Sequence, residues 1–388
     1  MSDTRTRVRS ADVVIVGGGV IGLSVARALA QWGVRNVTLI ERGQPGAEAS
    51  WAAGGILGPQ AEADQPDDFF QLAATSRDLY PAWADSLKSE TGIDVELDQT
   101  GTIYLAFTEP EEAKLRSRYD WQKREGLSVE WLTSGAARRL EPCISSEARC
   151  ALFFPKDYQV ENRRLLRALV KANEKLGVNL ITDCEVTELR VASSKTCGVE
   201  TSLGFIRAPV VVLAAGAWTS LVRSTLPGIN LKPVRGQMLC FEMRPALARH
   251  VLYSARGYLV PRRDGRILAG STTEQVGFEK RVTDLGRSAI TSMATEIAPV
   301  LADSNPTDSW AGFRPCTADE LPVLGPCAEI SGLYYATGHY RNGILLAPLT
   351  AELIAEAVIS GKSPLLLAPF SPDRFRAAQG IGRAGARD

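Results

Sequence analysis

Histidine is scarce in this chain of 388 residues, which contains only His250 and His339. This scarcity limits catalytic schemes that use histidine bases and metal sites that use imidazole ligands. The seven cysteines include no CxxC pair and follow no zinc-ligand spacing, which favours reduced and mostly buried thiols. We therefore expect no metal site, and a chemistry that depends on a bound group.

An excess of charge of either sign is also absent, because 44 lysines and arginines balance 44 aspartates and glutamates. Without a strong net field, the molecule has no general attraction for nucleic acid or an anionic membrane, so we expect neither as a partner. No window approaches about 18 consecutive apolar residues, and residues 1–10 lack the apolar segment of a secretory signal. The expectation is a soluble cytoplasmic protein.

The composition, 45% hydrophobic and 23% charged, is that of a globular protein, and the length suits two or three compact units. Short apolar runs rich in β-branched residues at 12–16, 37–40, 178–181 and 210–214 alternate with helical patterns and predict a parallel sheet. Between 230 and 324, strand patterns separated by turn signals predict an antiparallel sheet.

The parallel-sheet segments are interrupted by material of a different character, which indicates two interleaved domains. The predicted fold class is α/β, with a Rossmann-like domain and an α+β second domain that contains the antiparallel sheet. The predicted boundaries are 8–75, 155–229 and 325–372 for the first domain, 76–154 and 230–324 for the second, and 373–388 for a loose tail.

Three local predictions concern the connecting segments. Residues 43–68 are rich in glycine, alanine and acidic residues, and they predict a long loop. Thr108 and Glu111 have the spacing of a capping box at the start of a helix. Apolar periodicity predicts a further helix over 348–360.

The strongest local motif is a GxGxxG sequence formed by Gly17, Gly19 and Gly22 between a predicted strand and a predicted helix. The first glycine permits a tight turn, the second lets backbone amides approach a pyrophosphate, and the third allows close packing of helix on strand. Glu41 ends the next strand, where a carboxylate accepts hydrogen bonds from ribose hydroxyls, and Arg42 follows it. The motif predicts a bound dinucleotide and does not choose between NAD and FAD.

A loop of small residues, GAEASWAAGGILG at 46–58, lets the backbone approach a second stretch of an extended ligand. Together with the preceding ERGQP, this loop resembles the D-amino-acid oxidase and glycine oxidase family of FAD enzymes, in particular its glycine oxidases of the thiamine-pathway type. The resemblance continues through VVLAAGAW at 211–218, VRGQM at 234–238, GYLVPRRDGRILAGST at 257–272, GFRPCTADELPVLGP at 312–326 and YYATGHYRNGILLAP at 334–348.

The resemblance implies a non-covalently bound FAD. Gly338 and the run of Asn342, Gly343 and Ile344 precede the helix predicted over 348–360, so backbone amides and the positive end of that helix would face the pyrimidine edge of the flavin. Cys316 departs from the small residue expected there, but its surroundings do not match the motif of covalent flavin attachment. The predicted cofactor residues are Gly17, Gly19, Val20, Ile21, Gly22, Glu41, Arg42, Ala49, Ser50, Ala53, Gly54, Gly55, Val186, Ala215, Gly216, Trp218, Gly338, His339, Tyr340, Arg341, Asn342, Gly343 and Ile344.

For the substrate, Arg314 lies in an otherwise apolar segment and suits bidentate capture of a carboxylate, although a surface salt bridge is the alternative for any arginine. The resemblance implies that the hydroxyl of Tyr258 also bonds that carboxylate and that Arg341 has a supporting role. Arg256 and Thr273 fall at positions that line the pocket of the family and vary in it. The substrate preference therefore stays open.

The activity that the resemblance implies is a hydride transfer from Cα of glycine, sarcosine or a small D-amino acid to flavin N5, without an acid or base side chain. Water hydrolyses the imine to a 2-oxo acid and ammonia or an amine, and dioxygen reoxidises the flavin to give hydrogen peroxide. Supply of glycine imine for thiamine synthesis is implied as well. The partners are thus an amino acid and dioxygen.

Three alternatives remain at this stage. A flavin D-amino-acid dehydrogenase would pass electrons to a quinone or another acceptor instead of oxygen. A non-catalytic dinucleotide-binding module would bind the cofactor without turnover, and an NAD-dependent dehydrogenase would be colourless. The oligomeric state is also open, with a homo-oligomer as one alternative.

Overall fold

The computed structural model describes residues 10–224 and 229–375. Over these ranges the chain forms nineteen strands: β1 (Val13–Val16), β2 (Val37–Ile40), β3 (Ile56–Leu57), β4 (Thr102–Ala106), β5 (Glu130–Thr133), β6 (Cys150–Phe154), β7 (Tyr158–Gln159), β8 (Asn179–Ile181), β9 (Val186–Ala192), β10 (Lys195–Thr201), β11 (Gly204–Arg207), β12 (Val210–Leu213), β13 (Lys232–Glu242), β14 (Val251–Ser254), β15 (Gly257–Pro261), β16 (Arg266–Gly270), β17 (Asp308–Cys316), β18 (Val323–Pro326) and β19 (Leu333–Thr337).

The same ranges contain nine α-helices: α1 (Val20–Gln31), α2 (Ala49–Ala52), α3 (Pro59–Glu62), α4 (Asp68–Thr91), α5 (Glu109–Arg124), α6 (Ser134–Leu140), α7 (Asn162–Lys175), α8 (Asp284–Ile297) and α9 (Gly343–Ser360). Three short 3₁₀ helices cover Gly216–Leu221, Pro299–Asp303 and Leu365–Phe370.

Six strands form a sheet in the order β18-β19-β12-β1-β2-β8, parallel throughout except for β18. The central strand β1 is buried on both faces, which explains its unbroken run of valine and isoleucine. Val13 and Ile15 pack toward a core shared with α1, α7 and α9. Val14 and Val16 pack toward the small antiparallel sheet β9–β11. Helices therefore cover one face, and a second sheet covers the other.

Eight strands form a second large sheet in the order β17-β13-β16-β15-β14-β4-β6-β5. Its pairs are antiparallel apart from β4 and β14, which run parallel. One face packs on α8 around Leu239, Phe241 and Ile290. The opposite face carries Met238 and Tyr253 and approaches Ala52 from the other part of the molecule. The predicted combination of a parallel and an antiparallel sheet is confirmed.

The capping box at Thr108 and Glu111 is confirmed at the start of α5. The predicted loop over 43–68 is wrong, since α2, β3 and α3 lie within it. These short elements depend on distant partners, because β3 pairs with β7 and the Asp157 carboxylate accepts the first amides of α3. Of the predicted tail, residues 376–388 lie outside the described residues, whereas Arg374 bonds Asp319 at 2.7 Å.

Helix α9 begins at Gly343, five residues before the start predicted from Pro348. A proline inside a helix leaves the carbonyl four residues earlier without its usual donor. Here that carbonyl belongs to Ile344, and the buried hydroxyl of Tyr80 donates to it. By length and composition α9 is apolar enough to cross a membrane, but 67% of it is buried within the protein. It is a core helix packed on α1 and α4.

Candidate active site

An extended cleft runs between the two large sheets, from the turn after β1 to β17. It contains about 1820 Å³ of empty space, including the part open to solvent. Gly17 lines one end and Arg314 the other. The carboxyl ends of parallel strands are where ligands bind in open α/β sheets, so the position of the cleft follows from the topology.

The GxGxxG turn forms the inner end of the cleft. Gly17 has φ of 106°, which favours glycine, and a Cβ there would lie 2.5 Å from the carbonyl oxygen of Ala214. Gly19 lines the cleft, whereas Gly22 does not, because it packs against the carbonyl oxygen of Gly17. The three glycines thus let β1, β12 and the first turn of α1 approach closely. The amides at the helix N-terminus favour a bound anion.

Glu41 joins the turn to the next strand. One of its carboxylate oxygens accepts from the amide of Gly18 at 2.7 Å, and the other accepts from the amide of Gly43 at 2.9 Å. Both oxygens keep acceptor capacity, as a ribose-binding carboxylate requires. Nearby, the guanidinium of Arg42 lies 3.7 Å from the ring centroid of Trp218.

The middle of the cleft is lined by backbone and small side chains. Most of the predicted cofactor residues lie here or at the inner end. The predicted residues that line the cleft are Gly17, Gly19, Val20, Ile21, Glu41, Arg42, Ala49, Ser50, Ala53, Gly54, Gly55, Val186, Ala215, Gly216, Trp218, Gly338, His339, Tyr340, Arg341, Asn342, Gly343 and Ile344.

The loop from β19 to α9 brings a second helix N-terminus to the cleft. Its first amides have no acceptor within the helix and a positive dipole end, so they suit an electron-rich ring edge. His339 in this loop is buried, and its Nε2 lies 3.1 Å from the Thr350 hydroxyl. Burial lowers the pKa of His339 to about 3, which keeps the imidazole neutral. The residue orients the loop and carries no charge.

Arg314 enters the cleft from β17. Its guanidinium donates to the Ser271 hydroxyl at 2.5 Å and to the carbonyl of Thr272 at 3.0 Å. It lies over Gly236 of the neighbouring strand β13, where a Cβ would come within 2.5 Å of the guanidinium. No carboxylate among residues 10–224 and 229–375 lies within ion-pair distance of it. The site therefore holds an oriented cation without a counter-ion.

Tyr258 lies beside this cation on β15. Its hydroxyl is 3.4 Å from the Ser271 hydroxyl and 3.5 Å from the Met238 sulfur. Its ring faces Gly54 across the cleft, where a Cβ would be 3.2 Å away. The weak contacts of the hydroxyl leave it able to donate to a ligand on Arg314.

Among the polar residues of the cleft that sequence reasoning missed are Glu62 and Tyr253. Glu62 accepts from the Tyr253 hydroxyl at 2.7 Å and lies 3.5 Å from the guanidinium of Arg341. The Glu62 carboxylate raises the pKa of Arg341, and burial followed by that carboxylate raises the pKa of Tyr253 well above its usual value. The one available signal was an acidic residue four positions after the end of the small-residue loop at 46–58.

Two substrate candidates lie elsewhere, and this corrects the expectation that they line the pocket. The side chain of Arg256 is 57% exposed and pairs with Glu296 at 2.9 Å. Thr273 is exposed, and its neighbours Ser271 and Thr272 contact Arg314 instead. Cys316 is absent from the lining, and burial raises the pKa of its thiol. Within the described residues, no cluster of three or more possible ligands could hold a metal.

The residues present fit FAD. The glycine turn and the N-terminus of α1 suit a pyrophosphate, Glu41 suits a ribose, and the N-terminus of α9 suits the polar edge of a flavin. The cleft then continues to Arg314, which leaves a pocket for a small anion beside the ring. These features define an oxidoreductase that uses a dinucleotide cofactor: a parallel sheet with a glycine-rich turn, an extended cleft at that turn, and a second sheet that covers the cleft.

Comparison with known proteins identifies the family to which the chain belongs. The chain belongs to the FAD-dependent oxidoreductases, whose family model matches residues 12–357, and FAD is its cofactor. It is 37% identical over 364 residues to the glycine oxidase of Pseudomonas aeruginosa, covering 93% of this chain and 98% of the relative. It is 38% identical to the bifunctional protein ThiO/ThiG of Trichormus variabilis, covering 94% of this chain but 55% of that protein.

A solved structure supports the same assignment. The crystal structure of glycine oxidase from Geobacillus kaustophilus superposes with a TM-score of 0.89 and 37% identity, covering 94% of this chain and 98% of the other. The predicted fold class is therefore confirmed, and so is the resemblance to this family.

Proposed function

We propose that this chain oxidises glycine, sarcosine or a small D-amino acid. With glycine, water and dioxygen as reactants, the products are glyoxylate, ammonia and hydrogen peroxide. The observation that carries the proposal is the Arg314 guanidinium, which is fixed by Ser271 and Thr272 and has no carboxylate partner in the described residues. The names of the relatives support the same substrate class.

The residues at this end of the cleft act by orientation. Arg314 binds the substrate carboxylate through two parallel N–H groups, and the hydroxyl of Tyr258 adds a third donor. Fixing the carboxylate turns Cα toward the cofactor side of the cleft. FAD, when bound, accepts two electrons as a hydride from that carbon. Orientation of this kind supplies a large part of the rate without a proton-transferring side chain.

The charged groups of the cleft are consistent with a reaction that needs no general base. His339 is neutral and faces Thr350, and Glu62 is engaged by Tyr253 and Arg341. Glu41 and Glu48 lie toward the other end of the cleft, where they bond backbone amides or cations. The amine therefore reacts in its neutral form, and water rather than a side chain completes the hydrolysis of the imine.

The test is an absorption spectrum of the purified protein, followed by peroxide assays with glycine, sarcosine and D- and L-alanine. Arg314→Ala should keep FAD and raise the KM for glycine by about 10- to 100-fold, because a charged hydrogen-bond partner is lost. Arg256→Ala is the matched control and should leave the kinetics unchanged. Unchanged glycine kinetics in Arg314→Ala would refute the assignment. Turnover with an artificial acceptor but without peroxide would indicate a dehydrogenase instead.

Further parts of the proposal concern organisation. We propose the domain boundaries given above, with the six-stranded sheet in the FAD domain and the eight-stranded sheet in the substrate domain. FAD is held non-covalently, so acid precipitation should release it. A cytoplasmic location, the absence of membrane and nucleic-acid partners, and supply of glycine imine for thiamine synthesis also belong to this proposal. The ThiO/ThiG relative, about half of which this chain spans, supports the last point.

A further inference from the structure

A buried arginine, Arg262, lies behind the small-residue loop that lines the middle of the cleft. It follows β15 of the eight-stranded sheet and is 6% exposed. Its guanidinium donates to the carbonyl of Gly54 at 2.8 Å, the side-chain oxygen of Asn162 at 3.2 Å, and the carbonyl of Val160 and the side-chain oxygen of Gln159, both at 3.0 Å. One side chain from the second large sheet therefore ties together two segments of the other part of the molecule.

The charge of Arg262 has no carboxylate partner. Glu161 and Asp264 act on it from a distance but pair with Arg266 instead, and no carboxylate in the described ranges lies within ion-pair distance of Arg262. Burial lowers the pKa of Arg262 to about 10, so the guanidinium stays protonated at neutral pH. A buried charge without a counter-ion is unfavourable for folding, and its presence here indicates a role in the site.

The Gly54–Gly55 peptide is the part of the loop that Arg262 orients. This peptide is trans, so its C=O and its N–H point in opposite directions. The Gly54 carbonyl points to Arg262, which does not line the cleft, whereas both glycines do. The N–H of Gly55 therefore points toward the cleft. The Gly55 carbonyl is held as well, because it accepts from the amide of Val160 at 2.8 Å.

Asn162 extends the same support along the loop. Its side-chain oxygen accepts from Arg262, and its side-chain amide donates to the carbonyls of Ser50 at 2.8 Å and Trp51 at 3.0 Å. The Ser50 hydroxyl accepts from the amide of Val20, in the first turn of α1, at 3.0 Å. A continuous chain of hydrogen bonds thus connects Arg262 to the helix N-terminus that suits the pyrophosphate.

We propose that Arg262 is a positioning residue for the cofactor: it turns the Gly54 carbonyl away from the cleft and so presents the N–H edge of this peptide to FAD. The inference goes beyond the proposed function, since it holds whatever the substrate is. An N–H edge with a buried cation behind it favours an electron-rich ligand, and buried groups are little screened by water. Reduced FAD should therefore be stabilised more than oxidised FAD.

The test measures two properties of the holoenzyme that require no substrate: the dissociation constant of FAD, from fluorescence after dilution, and the reduction potential of bound FAD, from equilibration with a redox dye. Arg262→Met removes the charge and the four bonds. We expect the dissociation constant of oxidised FAD to rise about tenfold or more. Reduced FAD should lose about tenfold more affinity than oxidised FAD, which is a negative shift of about 30 mV for a two-electron couple.

Arg374→Met is the matched control. Arg374 also donates to backbone carbonyls, those of Phe370 at 2.8 Å and Leu321 at 3.0 Å, but these residues do not line the cleft. The control should lower Tm and leave the affinity and the potential of FAD at their wild-type values. If Arg262→Met behaved in the same way, Arg262 would be a structural support only, and the proposal would be overturned.

A double-mutant cycle with Asn162→Ala tests whether the two side chains act on the same loop. The double variant should weaken FAD binding by less than the product of the two single effects, because residues in one hydrogen-bond network are not additive. Effects that multiply would contradict the proposal. Should Arg262→Met not fold, Arg262→Lys replaces it: one ammonium group cannot reproduce the guanidinium fork, so affinity and potential should both fall. Wild-type values in Arg262→Lys would overturn the proposal.

These measurements separate the inference from the proposed function, because none of them uses an amine. Absence of turnover with every amine would refute the amine oxidase and leave the role of Arg262 intact, provided that FAD affinity and potential shift as expected. Unchanged affinity and potential in Arg262→Met, in an enzyme that oxidises glycine, would refute the role of Arg262 alone.

Discussion

Gly236→Ala is the substitution that tests the geometry of the carboxylate site most directly. Gly236 lies on β13, diagonally across the strand pair from Arg314. Because Gly236 has no side chain, the guanidinium of Arg314 packs directly on its backbone. A Cβ at position 236 would lie 2.5 to 2.7 Å from three guanidinium atoms. The backbone of Gly236 does not need a positive φ, so an alanine would act through this contact alone.

The size of the effect follows from these distances. To restore an ordinary contact of 3.4 Å, the guanidinium would have to move about 0.9 Å. Such a shift stretches the bonds to Ser271 and Thr272 and misaligns the two parallel donors for a carboxylate. Loss of one charged hydrogen bond corresponds to about 1.5–3 kcal/mol, hence about a 10- to 100-fold rise in the KM for glycine.

The assay is peroxide release with glycine as the variable substrate. It is combined with the dissociation constant of methylthioacetate, an acid that has one carboxylate and no oxidisable amine. FAD content should stay at the wild-type level, because the change lies at the substrate end of the cleft. Gly135→Ala, where the new Cβ meets nothing closer than 3.7 Å, controls for the substitution type. A normal KM for glycine in Gly236→Ala, together with a raised KM for glycine in Arg314→Ala, would show that the guanidinium is not held where the structure places it.

Two further substitutions probe the cofactor end and the pH dependence. Glu41→Ala should weaken FAD binding to the apoprotein about tenfold or more in a fluorescence titration, since a ribose acceptor is lost; an unchanged dissociation constant would remove Glu41 from the site. Burial lowers the pKa of His339 to about 3 from an ordinary 6.5. As the pH falls, the unfolded state therefore takes up this proton before the folded state does. The contribution of the neutral imidazole to folding stability is complete above pH 6.5 and is lost as the pH falls toward 3. His339→Gln should therefore lose less Tm than wild type between pH 6.5 and pH 4.5, and parallel curves in calorimetry would contradict this.

Local pattern was sufficient to predict which residues line the inner end and the middle of the cleft. The β1–α1–β2 unit is defined by a β-branched run, a glycine turn and helical periodicity, all within 30 residues. Every predicted cofactor residue except Gly22 lines the cleft, because the family motifs mark backbone approaches that depend on short segments.

The substrate end was harder to predict because its residues meet only in the folded molecule. Arg256 is two residues from Tyr258 and would share its face in a regular strand, but β15 begins at Gly257 and the alternation does not extend into the preceding turn. Glu62 lies on a short helix whose stability depends on Asp157, far away in the chain. The residue pattern within 43–68 contains no periodicity that would predict this contact with Asp157.

The interleaved order of strands has a consequence for synthesis on the ribosome. Val13 of β1 pairs with Val210 of β12, and the edge of β12 is covered only when Leu333 of β19 has been added. At about 5–20 residues per second, β1 waits about 10–40 s for its neighbour β12. A nascent chain that ends before β19 would leave β12 with an open hydrogen-bonding edge. Its exposed apolar strands would then be clients for chaperones, and messages truncated before codon 333 should yield aggregated, colourless protein.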